Sequence, residues 1–83
     1  MSPDRLRRFA LVYHKLPPRQ KQAFDLYGEG YKYGVIADIM FVTRNTVKQN
    51  MYHLRHKFPY DGDKDLQAQT AYFLGWMKGK YND

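Results

Sequence analysis

Arg44, Asn45, Lys48, Gln49, Tyr52 and Arg55 recur at helical spacing in a stretch, Arg44 to Phe58, that contains no acidic side chain. These residue types suit a nucleic acid: Arg and Lys neutralise phosphates, Lys also donates to guanine, and Gln pairs with an adenine edge. The same stretch carries Val47, Met51, Leu54 and Phe58 at i, i+4, i+7 and i+11, one apolar stripe of a 3.6-residue helix. A helix with one buried stripe and a face of cations and amides fits the DNA major groove, which admits a single helix. Such a face alone is also what any solvated helix presents. Here it is preceded by Ile36, Ala37, Ile39 and Met40, which predict a short helix, and by Phe41-Val42-Thr43, which predict a tight turn. Thr43 stands where an N-cap belongs, and Ala37 is small enough for two helices to approach. Together these features predict a helix-turn-helix.

The rest of the chain must position that unit. Ser2-Pro3-Asp4 is a helix start: a capping hydroxyl, a proline in the first turn and a carboxylate at the positive end of the dipole. Leu6, Phe9, Ala10, Tyr13 and Leu16 follow at helical spacing, predicting an extra N-terminal helix over 3–16, with Arg5, Arg7, Arg8 and Lys15 on its surface. Those arginines either stay solvated or lie near phosphates. Pro17-Pro18 ends this helix and opens the next. Ala23, Phe24, Leu26 and Tyr27 give the second helix its apolar face, and Gly30 is placed to end it as a left-handed residue. After Phe58, Pro59 to Asp63 reads as a turn, with Asp63 placed to cap a last helix over 63–80. Phe73, Trp76 and Met77 share one side of it, and Gly75 and Gly79 permit close approach, so a homodimer through these three residues is expected. The alternative is that this side packs on the protein's own first helix. No strand pattern and no repeat is present. The expected architecture is all-α, about five helices in one domain over 1–83, with the helix-turn-helix core at 18–58.

The chain has 83 residues, no cysteine and a formal charge of +6. It is long enough for one small core, filled from eight Tyr, five Phe and one Trp rather than stapled by disulfides. The basic excess sits in residues 1–22 and 31–58, the N-terminal arm and the helix-turn-helix, which favours a polyanion as partner. FALVY is too short for a signal or a span, and VIADIMFV is broken by Asp38, so no membrane association is expected.

The order of residues resembles a known family. Leu16-Pro17-Pro18-Arg19-Gln20 opening a helix, Gly30 ending it, Ile36-Ala37, then Thr43-x-x-Thr46-Val47-Lys48 and Lys57-Phe58 resemble the DNA-binding domain of LuxR/GerE-type transcription regulators. Sigma-factor region 4 shares nearly the same pattern, and Arg19-Gln20-Lys21 with Tyr33-Gly34-Val35-Ile36-Ala37 suits it equally. The resemblance implies that the helix 44–58 enters the major groove. It implies that Lys48, Gln49 and Tyr52 meet base edges, and that Arg44, Asn45 and Thr46, with Arg55, lie near phosphates. It also implies a two-fold contact through the last helix, and action in the bacterial cytoplasm or a phage-infected cell. Pro17 departs from the LuxR/GerE pattern by removing a hydroxyl cap, Val35 by replacing a glutamate, and Asn50 and His53 by exchanging a usual pair. Tyr52 is bulky for a base reader.

Other chemistry is set aside. Asp61-Gly62-Asp63-Lys64-Asp65 starts like a calcium loop, but Leu66 and Tyr72 stand where Gly and a bidentate Glu are needed. His53 and His56 are three apart on one helix, with no third ligand at metal spacing. There is no Ser-His-Asp set, no phosphate loop and no paired carboxylates, so neither an enzyme nor a cofactor is expected. Two functions stay open: a small sequence-specific regulator of double-stranded DNA, or an interaction module that binds RNA polymerase or another regulator instead of DNA. Trp76 and Phe73 would be the hot spots of the second.

Overall fold

The computed structural model describes residues 1–62 and 65–81. Its five helices are α1 (Pro3–His14), α2 (Pro18–Gly28), α3 (Tyr33–Met40), α4 (Arg44–Lys57) and α5 (Leu66–Tyr81). The described residues contain no strand, as the patterning predicts.

Local chemistry explains most of the boundaries. The Ser2 hydroxyl accepts from the Arg5 N–H at 3.2 Å, with Pro3 opening α1. α1 stops at His14 rather than running to residue 16, because Leu16 precedes Pro17 and is driven out of the helical region. α2 opens on Pro17-Pro18 with no side-chain cap. It closes in a Schellman motif on Gly30 (φ 99°): the Tyr31 N–H bonds to the Leu26 carbonyl and the Gly30 N–H to that of Tyr27. Gln67 of α5 adds a side-chain cap, its amide donating to the carbonyls of Tyr27 and Tyr31 at 2.9 and 3.1 Å. The last helix starts at Leu66, capped by Asp65, whose Oδ1 accepts from the Ala68 N–H at 3.2 Å. The capping role expected of Asp63 lies outside the described residues.

The core is aromatic. Phe24 stacks on Phe58 with centroids 4.4 Å apart, and Phe9 touches Phe58, Tyr60 and Phe73 at 5.1, 5.1 and 5.3 Å. Rings at these spacings are each worth about 0.5–1.5 kcal/mol beyond their area. α5 lies mainly on α2, where Gly28 makes room: a Cβ there would sit 2.4 Å from Leu74 Cδ1. This packing corrects the expected dimer face. Phe73 is 0% exposed, enclosed by Phe9, Tyr13 and Phe24, and so cannot be a surface contact. Trp76 and Met77 are half-buried at the edge of the same core, with the Lys80 ammonium 5.0 Å from the Trp76 ring centre. The last helix folds back on α1 and α2, the alternative that the sequence leaves open.

Candidate nucleic-acid interface

α3 and α4 meet through the turn at Phe41–Thr43. Phe41 adopts φ 57°, ψ 44°, and the Val42 N–H bonds to the Ala37 carbonyl while the Phe41 N–H bonds to that of Asp38. This is a Schellman stop built on a phenylalanine, in a conformation that ordinarily selects glycine. Thr43 then caps α4: its Oγ1 accepts from the Thr46 N–H at 3.1 Å and shares a hydrogen bond with the Thr46 hydroxyl at 2.9 Å. Arg19 of α2 ties the unit from behind by donating Nη2 to the Met40 carbonyl at 3.1 Å. Ile36, Ala37 and Met40 of α3 and Val47, Met51 and Leu54 of α4 are all buried, so the two helices are set by one shared core.

Burying Val47, Met51, Leu54 and Phe58 fixes what α4 shows outside. Residues two positions earlier lie about 200° round the helix, since each residue turns about 100°. Those residues are Asn45, Gln49, Tyr52 and His56, and Tyr52, His56, Gln49 and Asn45 are all exposed. The Tyr52 and His56 rings meet edge to face at 4.7 Å. Lys48 and Arg55 lie together on one flank, bordering a cleft beside Tyr52. Arg44 and Thr46 are exposed in the first turn, where free backbone N–H groups and the helix dipole favour an anion. All seven residues expected to meet DNA are therefore exposed on one helix. His56 is the residue that reading by type underrates: its place opposite Phe58 on the i+11 register was the available signal. At the far end of α4, Lys57 donates to Gln20 Oε1 at 3.2 Å, while Arg8 of α1 borders the same surface as His56 and Lys57.

The electrostatics separate outside from inside. Asp25 sits in a half-buried site and accepts from the Tyr13 hydroxyl at 2.9 Å. Burial pushes its carboxyl above the usual carboxylate range, with the Tyr13 hydrogen bond opposing that rise. Burial likewise pushes the Tyr60 hydroxyl up to about 12, against the effect of its bond to Thr70. No helix of the described residues is long and apolar enough to cross a membrane. The described residues also contain no group of three or more His, Cys, Asp or Glu side chains that could hold a metal ion.

A short helix, a three-residue turn and a longer helix with an acid-free outer face, on a shared core, define a helix-turn-helix protein. The chain matches the family model described as sigma-70, region 4, over residues 6–57, and it belongs to that family. The match decides between the two resemblances of the sequence: the LuxR/GerE reading gives way to the region 4 reading. Because the match begins at Leu6, most of α1 is part of the family unit rather than an addition to it. No curated protein and no solved structure matches the chain. Region 4 is a helix-turn-helix module of transcription that works on DNA or RNA polymerase, and it is not an enzyme family.

Proposed function

We propose that this protein is a small sequence-specific regulator that lays α4 in the major groove of double-stranded DNA. The observation that carries this is the exposed stripe Asn45, Gln49, Tyr52 and His56, directly opposite the buried stripe of α4, on a helix without an acidic residue. In this reading Lys48, Gln49 and Tyr52 meet base edges, and Arg44, Asn45, Thr46 and Arg55 meet phosphates. The site of action is then the cytoplasm of a bacterium or of a phage-infected cell. A homodimer through what α5 leaves accessible, Trp76 and Met77, belongs to the same proposal; sedimentation of wild type and Trp76→Ala tests it, and a monomer at every concentration removes it.

The affinity for DNA, measured at several salt concentrations, tests the main claim. Each neutralised phosphate contributes about −0.9 to the slope of log affinity against log salt. A steep negative slope is expected. A flat plot, or no binding at low salt, favours the second reading, in which the partner is RNA polymerase or another regulator. One observation supports that reading. Phe41 is 95% exposed at the turn, with Val35 and Ile39 of α3 also exposed, an apolar surface that groove binding does not use.

A further inference from the structure

Past the C-terminal end of α4 the basic surface continues onto α1. Arg8, Leu11, Val12 and Lys15 follow at i, i+3, i+4 and i+7, one face of α1 and its C-cap. Arg8 lines a cleft with His56 and Lys57, and Lys15 lines a second one; Val12 and Lys57 wall both. Arg8, Lys15, His56 and Lys57 are exposed. The core beneath fixes this meeting of helices: Phe9, next to Arg8, packs on Phe58, next to Lys57, with ring centres 5.1 Å apart. We propose that Arg8, Lys15 and Lys57 form a second phosphate-binding surface, which holds the DNA backbone where α4 leaves the major groove. The proposal rests on the groove reading and deepens it by adding a strand contact outside the helix-turn-helix.

Continuity selects this partner first. His56 belongs both to the outward stripe of α4 and to the cleft that Arg8 lines, so one surface runs from the groove face onto α1. A straight α4 of 14 residues is about 21 Å long, against a groove about 12 Å wide, so its second end runs out toward a phosphate backbone. Charge comes second. Neither residues 5–22 nor residues 39–60, which supply the whole surface, include an Asp or Glu. Asp61 follows, but it approaches Arg5, one turn before Arg8, at 3.7 Å. Lys57 donates to the neutral Gln20 amide at 3.2 Å, which positions its ammonium without neutralising it. The negative end of the α4 dipole would repel a phosphate and accounts for a cation at Lys57, as the end of α1 does at Lys15. Arg8 stands in the middle of α1, where no dipole end calls for a cation. Reach comes third. Arg8 and Lys15 lie about 10 Å apart along the helix, and one strand presents a phosphate about every 3.4 Å of duplex axis, so the surface spans about three phosphates.

The test measures the affinity of the full chain for a random duplex and for a site selected from a random pool, each at several salt concentrations. Phosphates carry no sequence information, so Arg8→Gln should weaken both duplexes alike, by about three- to tenfold at low salt, and lower the salt slope by about one. Arg8→Lys should recover most of the loss, because a phosphate accepts lysine as a point charge. Lys78→Gln, which removes the same charge from the exposed face of α5, should bind like wild type. Thermal denaturation checks that each variant is folded, and Lys15→Gln gives an independent reading at a second exposed position, with the same expected loss. If Arg8→Gln and Lys15→Gln bind like wild type while Arg44→Ala is weakened, the surface belongs to an acidic protein or to solvent: this proposal falls and the groove reading stands. Equal losses in Arg8→Gln and Lys78→Gln reduce the effect to net charge and also overturn it. So does a loss confined to the selected site. A wild-type protein that binds neither duplex at low salt removes the groove reading and this proposal together.

Discussion

Arg19 reaches from the first turn of α2 to the last carbonyl of α3, Nη2 to Met40 O at 3.1 Å, four positions before α4 begins. A cation at a helix C-terminus meets both an orphan carbonyl and the negative end of the dipole. Met40 is buried, so this carbonyl has few other partners available. Arg19→Ala should lose about 1 kcal/mol of stability. Urea denaturation reads the loss, and Arg19→Lys should recover part of it. An unchanged midpoint in Arg19→Ala would mean that water serves the Met40 carbonyl equally well.

Gly28 controls how close α5 comes to α2. A Cβ at this position would lie 2.4 Å from Leu74 Cδ1 and 2.9 Å from Thr70 Cγ2. Leu74 can rotate away, but Thr70 is fully buried and held by hydrogen bonds to Tyr60 and Leu66. Overpacking typically costs about 1–3 kcal/mol, against roughly 1 kcal/mol of helix propensity gained by alanine. Gly28→Ala should therefore destabilise by about 1 kcal/mol and lower the melting temperature by about 4–8 °C. Thermal denaturation followed by circular dichroism checks this; a higher melting temperature would refute the close approach.

What the sequence made legible was what neighbours in the chain decide. Ser2, Thr43 and Gly30 act within a few residues of themselves, and each does what its type and position predict. The buried stripe of α4 was legible because periodicity alone defines it. The role of Gly28 and the burial of Phe73 were not, because both depend on which face of α5 meets α2, and α5 carries apolar residues nearly all round. The cleft beside Tyr52 was hidden for the same reason: Tyr27, Tyr33, Tyr60 and Leu66 reach it from separate segments, and no spacing rule joins them. Periodicity also placed Lys48 and Gln49 on one polar face, whereas packing sends Lys48 to the flank beside Arg55 and leaves Gln49 outermost.

Stability should also carry a mark of Asp25. Burial raises its carboxyl above the ordinary range, so the folded protein holds that proton more tightly than the unfolded chain does. The resulting contribution is full below the ordinary carboxylate value and is lost as pH rises through the folded value of Asp25. Asp25→Asn keeps an acceptor for the Tyr13 hydroxyl and removes the buried charge. The difference in stability between the variant and wild type should therefore grow in favour of the variant as pH rises across that window. Denaturant midpoints from acid to neutral pH measure it, and a constant difference would show that Asp25 does not titrate as its burial implies.

Phe41 combines an exposed side chain with a left-handed backbone, φ 57°. That conformation costs a residue with a Cβ about 1–2 kcal/mol, and glycine escapes the cost while losing more entropy on folding. With almost no packing to lose, Phe41→Gly should be neutral to about 1 kcal/mol more stable, read by chemical denaturation. DNA affinity should not change. If the exposed α3 surface binds RNA polymerase, the same variant should bind polymerase less tightly at unchanged DNA affinity. Equal polymerase binding by both proteins would remove Phe41 from any such contact.

Base reading and phosphate binding by α4 should separate by mutation. Gln49 lies outermost on the helix, directly opposite the core, where an amide can pair with adenine N6 and N7. Lys48 stands one residue back on the flank, long enough to donate to guanine O6 and N7 from the side. Arg44 is exposed in the first turn, beside the free N–H groups that favour a phosphate. Lys48→Ala and Gln49→Ala should each reduce discrimination between a selected site and random DNA by about 1–3 kcal/mol. Arg44→Ala should weaken binding to both equally and lower the salt slope by about one. A selection from a random pool supplies the site, and competition titrations at two salt concentrations supply the numbers. If Lys48→Ala and Gln49→Ala weaken selected and random DNA alike, α4 anchors the protein by charge and does not read bases. Sequence preference would then have to come from the shape of the duplex, and Tyr52 and His56 would shield the interface rather than specify it.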